Sequence, residues 1–122
     1  QRVTQMFDRK PLGGLWTSPI ESTGWRDCVI NRGIEADLSK SFTLEFTGKL
    51  LVINSKKDCD KLPVINYFGI MKRIDWDRLN ADAIHLTKRW VEETKWDAFG
   101  VFFGWDCETV FIINKESITN VV

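Results

Sequence analysis

Phe42-Thr43-Leu44-Glu45-Phe46-Thr47-Gly48-Lys49-Leu50-Leu51-Val52-Ile53-Asn54 carries two different hydrophobic patterns in succession. In the first half, Phe42, Leu44 and Phe46 alternate with Thr43, Glu45 and Thr47. Side chains change face at every residue of a strand, so this alternation predicts a half-buried strand. Gly48-Lys49 breaks the pattern as a turn or bulge. The run from Leu50 to Asn54 is apolar without alternation and too short for a helix of ordinary length, which predicts a second, more fully buried strand.

Working outward, Lys10-Pro11-Leu12-Gly13-Gly14 is a turn signal, because proline blocks helix and the glycines admit a left-handed backbone. It divides an opening strand, Arg2-Val3-Thr4-Gln5-Met6, from a short strand, Leu15-Trp16-Thr17-Ser18, that Pro19 ends. Ser22-Thr23 offers an N-cap to a brief helix through Trp25, Cys28 and Val29. On the C-terminal side, Asp58 to Leu62 reads as a helical turn stopped by Pro63, and Asp75 to Leu79 as a short helix with Trp76 and Leu79 on one face. Asp82-Ala83-Ile84-His85-Leu86 is a strand, Thr87 to Lys95 a helix, Val101-Phe102-Phe103 a loop or hairpin between Gly100 and Gly104, and Glu108 to Ile113 a strong strand. Short strands and helices interleaved without regular βαβ spacing predict an α+β fold, a single compact domain with a mixed, mostly antiparallel sheet of about six strands.

The 122 residues suit one domain with one core. Seventeen basic and seventeen acidic side chains cancel, leaving no overall field to draw the domain onto a duplex phosphate backbone. Basic pairs such as Lys56-Lys57 and Lys88-Arg89 are scattered and read as solvated surface. No apolar run approaches the roughly twenty residues of a membrane-spanning helix. Cys28, Cys59 and Cys107 form no CxxC pair and have one histidine for company, so free thiols in a cytoplasmic, reducing setting and no metal site are expected. Six tryptophans call for a core of aromatic anchors, a stacking surface, or both.

Three segments set polar groups among apolar and aromatic neighbours: Gly13 to Ser18, Asp82 to Thr87 and Gly104 to Thr109. A carboxylate at the head of a buried strand loses hydration, so Glu108 is expected to be hydrogen-bonded or functionally poised. The structural reading of the same residues is that Asp106 starts a turn and Glu108 begins an exposed edge. His85, alone in an apolar strand, reads as a satisfied core residue.

The first and last of these segments resemble the mono-ADP-ribosyltransferase superfamily. Leu15-Trp16-Thr17-Ser18 is similar to that family's strand of an aromatic followed by hydroxyl residues, with Trp16 standing where a first Ser would be. Asp106-Cys107-Glu108 resembles its acidic or amide residue, one spacer and catalytic Glu, with Asp106 in place of the commoner Gln or Glu. The resemblance covers about a dozen residues. It implies NAD as substrate, an unknown macromolecular acceptor of ADP-ribose, and Glu108 as the catalytic carboxylate. It further implies a cofactor-binding set of Arg2, Trp16, Thr17, Ser18 and Asp106, with Arg2 filling the family's Arg or His on the opening strand. An aromatic that stacks on nicotinamide would come from Trp16, Trp25, Tyr67 or Phe68. The alternative reading is a non-catalytic protein-binding or accessory factor, which small size, balanced charge and high Trp content fit equally well. An enzyme requires Thr17, Ser18 and Glu108 to converge on one open cleft; an interaction protein does not.

Overall fold

In a computed structural model, residues 4–5, 11–20, 43–67, 69, 71–97 and 99–121 are described. Their strands are β1 (Thr4–Gln5), β2 (Pro11–Leu12), β3 (Leu15–Thr17), β4 (Leu44–Phe46), β5 (Leu50–Ile53), β6 (Val64–Tyr67), β7 (Met71–Ile74), β8 (Ala83–Leu86), β9 (Thr109–Ile112) and β10 (Ile118–Val121). The helices are α1 (Lys56–Cys59) and α2 (Lys88–Thr94), and a 3-10 turn spans Lys115–Ser117. The expected helix through Trp25 and Cys28, and Arg2 of the expected first strand, lie outside the described residues.

The largest sheet has four strands in the order β3-β9-β8-β5. β9 runs antiparallel to both β3 and β8, while β5 runs parallel to β8. A parallel pair needs a long crossover, and residues 54–82 supply it with α1 and the β6–β7 hairpin. β1–β2 and β4–β10 form further antiparallel pairs. The result is one α+β domain with a mixed, mostly antiparallel arrangement.

Register decides the faces. Trp16, Phe111, Ile84 and Leu51 stand opposite one another across the four strands, and with Thr109, Leu86 and Ile53 they form the core face. Phe111, Ile84, Leu86 and Thr109 are fully buried there, each large apolar side chain contributing about 1.5–3 kcal/mol. The Thr109 hydroxyl donates to the Cys107 carbonyl at 2.8 Å, so its burial leaves no unmet donor. Val91 of α2, Leu62, Ile74, Phe102 and Trp105 close over this face. Trp105 lies 4.8 Å from Trp16 and 5.1 Å from Phe102, ring centre to ring centre. Trp105 is buried, whereas Trp16 and Trp76 are half-buried against the same cluster. Before β3, Gly14 holds a positive φ of 67°, and a Cβ there would fall 2.3 Å from Cζ of Phe111. Only glycine allows that approach.

Thr87 caps α2, its hydroxyl accepting from the Trp90 N–H at 3.3 Å and donating to Asn54 Oδ1 at 2.6 Å. α1 begins two residues earlier than the expected turn at Asp58, because Ser55 caps it by accepting from the Asp58 N–H. Asp75 to Leu79 differs from the expected helix: it is a turn closed by one bond from the Arg78 N–H to the Asp75 carbonyl. One hydrogen bond does not offset the cost of nucleating a helix. β5 also differs from its expected full burial. It lies at an end of the four-strand order, and there Leu50 and Val52 are 40% and 49% exposed while Ile53 is buried.

Asp82 ties the two-stranded β4–β10 pair to the larger sheet. Its carboxylate accepts from the Lys49 N–H at 2.7 Å and from Asn114 Nδ2 at 3.1 Å. The Lys49 backbone bond, reinforced by Asn114, holds the Asp82 carboxyl below the usual carboxylate range.

Candidate functional site

Alternation along the strands sets Thr17, Val110, His85 and Val52 in one row on the face of the sheet opposite the core. Glu108 precedes β9 by one residue and lies two residues from Val110, so it belongs to the same face. His85 stands opposite Val110, which makes Glu108 its diagonal neighbour on the adjacent strand, within reach of a long side chain. The two meet: Nε2 of His85 lies 2.8 Å from Oε2 of Glu108. Their side chains are 22% and 17% exposed, dry enough to strengthen the contact yet open to a small solute.

With the carboxylate ionised it only accepts, and the hydrogen between these atoms then belongs to Nε2. That bond fixes the ring's orientation and tautomer and leaves the Nδ1 lone pair as the basic position. Nδ1 has no hydrogen-bond partner among the described residues. His85 is therefore not the core histidine expected of an apolar strand. Ala83, Ile84 and Leu86 around it are buried, but its own position faces away from the core beside half-exposed Val52.

The strand at Leu15–Thr17 and the strand headed by Glu108 are direct neighbours in the sheet. Thr17 is the hydroxyl residue that shares the Glu108 face, and its Oγ1 donates to the Val110 carbonyl at 2.6 Å. Ser18 lies one residue past the last paired position and is half-buried. Trp16 faces the other way, with its ring 4.8 Å from Phe111 in the core cluster. Asp106 is half-buried two residues before Glu108, outside any strand. Arg2, Trp25 and Phe68 lie outside the described residues. Thus Thr17, Glu108 and His85 come together on one face, while Trp16 is directed to the opposite one.

A separate cleft of about 400 Å³ opens between α1, α2 and the β6–β7 hairpin. Cys59, Val64, Trp90 and Phe102 are among the residues that form its walls, and Lys72 and Asp97 add charge. Neither Glu108 nor His85 lines it. Burial pushes the Cys59 thiol up, against the opposing effect of the Trp90 Nε1–H donated to its sulfur at 3.1 Å. Among the described residues, no three His, Cys, Asp or Glu side chains are placed to hold a metal ion, and no helix is long and apolar enough to cross a membrane.

No protein-family model, curated protein or solved structure matches this chain. Of the groups on the Glu108 face, sequence reasoning missed His85, although the signal was present in its parity: it is the polar member of a strand whose other residues are apolar.

Proposed function

We propose that the chain is an ADP-ribosyltransferase-like domain that binds NAD on the Glu108 face of the sheet and transfers ADP-ribose to an acceptor. The observation that carries the reading is the position of Glu108: a carboxylate at the head of a central strand, held by His85, beside the strand that ends in Thr17. Breaking the bond between nicotinamide and ribose builds positive charge on the ribose ring, and a fixed carboxylate in a partly dry site stabilises that charge without reorganising. In this reading Glu108 also engages a ribose hydroxyl. Thr17, its hydroxyl committed to the Val110 carbonyl, braces the neighbouring strand. Ser18, Asp106 and Arg2 remain candidates for contacts to the rest of NAD. Trp16 supports the site from the core side.

Calorimetric titration with NAD tests the binding step. Saturable heat with one site per chain is expected for the wild type. Glu108→Gln should retain most of the binding, since the charge it removes acts chiefly as the bond breaks. Absence of heat at millimolar NAD would overturn the proposal. The exposed Leu50 and Val52 on β5 favour the second reading, a protein-binding factor that covers this edge. That reading expects no NAD heat and loss of a partner on Val52→Lys.

A further inference from the structure

We infer that His85 is the proton acceptor of the site, and that the nucleophile receiving the ADP-ribosyl group is an oxygen nucleophile, water or an alcohol. This rests on the NAD reading above and adds to it a residue and an acceptor chemistry. Three observations carry it. His85 and Glu108 are 2.8 Å apart, an ionised carboxylate at that distance takes its hydrogen from Nε2, and Nδ1 has no hydrogen-bond partner among the described residues. A carboxylate, an imidazole oriented by it, and a second ring nitrogen with its lone pair to spare make up a general-base dyad. The ring is 22% exposed and Val52 beside it is 49% exposed, so a small nucleophile can reach it.

An oxygen nucleophile calls for such a group. Water and alcohols attack weakly while they keep their proton, and an imidazole nitrogen with its lone pair to spare can take it. In the step, the bond from ribose C1′ to the nicotinamide nitrogen breaks and its electron pair leaves with nicotinamide. The oxygen forms the new bond to C1′, and its proton passes to Nδ1 of His85. The resulting imidazolium is held by the Glu108 carboxylate across the Nε2 bond and later returns the proton to solvent. No oxidant, reductant or metal enters the balance.

The test incubates the full chain with NAD in buffer containing methanol and follows both nicotinamide release and the products. The wild type should give ADP-ribose from water and its methyl glycoside from methanol, in a ratio that follows methanol concentration. His85→Ala should release nicotinamide about 10²–10⁴-fold more slowly, and added imidazole should restore part of the rate by filling the vacated space. His85→Gln keeps an amide N–H to hold Glu108 but supplies no base. It should be as slow as His85→Ala and unmoved by imidazole, which separates proton transfer from the mere positioning of Glu108. Release that depends on Glu108 yet is unchanged in both His85 variants, or His85→Ala that imidazole does not restore, would overturn the role of His85 and leave the NAD reading standing. Failure to form the methyl glycoside would overturn the oxygen-nucleophile assignment. No nicotinamide release by the wild type under any of these conditions would overturn both.

Discussion

Replacing Trp105 by alanine tests the packing beneath the candidate site. The indole is 1% exposed and lies 4.8 Å from Trp16, 5.1 Å from Phe102 and 6.1 Å from Phe111, ring centre to ring centre. Truncation loses the transfer free energy of the ring and leaves a cavity that three rings cannot fully close, at a cost of about 3–5 kcal/mol. Each ring pair adds geometry-dependent attraction of roughly 0.5–1.5 kcal/mol, which places Trp105 toward the upper end. Domains have only about 5–15 kcal/mol in all, so a third or more of the stability would be lost. At roughly 4 °C per kcal/mol for a chain of this size, the Tm should fall by about 12–20 °C. Urea unfolding followed by circular dichroism measures it, with an unchanged slope showing that the unfolded state is the same. Trp96, 75% exposed, is the control, and its alanine variant should stay within about 0.5 kcal/mol of wild type. A loss under about 1 kcal/mol for Trp105→Ala, or a larger loss for Trp96→Ala, would refute the assignment of the core.

Gly14→Ala should destabilise by about 2–5 kcal/mol, from a left-handed backbone that L-residues resist and a methyl driven into Phe111; a thermal melt equal to wild type would contradict this. Asp82 contributes stability above its ordinary pKa, because its folded-state value is depressed. That contribution is lost as pH falls from about 4 through the lower folded value. Asp82→Asn should therefore show a shallower acid limb in a plot of stability against pH, and an unchanged limb would count against this role of the Asp82 carboxylate. Cys59, its thiol pKa raised chiefly by burial, should react with iodoacetamide at neutral pH more slowly than a free cysteine, with mass spectrometry assigning the labelled position.

Much of the fold was legible where one pattern repeats. The strands at 15–17, 44–46, 50–53, 83–86 and 109–112 follow apolar positions or runs in the sequence, and α2 follows its Thr87 cap. The β6–β7 hairpin was not, since Val64 to Ile74 mixes exposed Ile65 and Lys72 with buried Ile74 and turns at Gly69 with φ 76°. β10 escaped for a similar reason, as most of its residues are exposed and packing on β4 defines it. The exposure of Val52 could not be read from an apolar run, because strand order, not composition, decides which strand is central. For the same reason Glu108 was legible as a carboxylate in need of a hydrogen bond and its partner was not. His85 lies 23 residues away in the chain, and only the antiparallel register of β8 with β9 makes them neighbours.

The proposed NAD chemistry stands on the charge of Glu108. Nicotinamide release from NAD by wild type and Glu108→Gln, at folding matched by circular dichroism, measures chiefly that charge, since the amide keeps the shape and one acceptor oxygen for His85. Turnover in the wild type and a loss of about 10²–10³-fold in the variant are expected, whereas equal release from both proteins, or none from the wild type, would refute the proposed NAD chemistry.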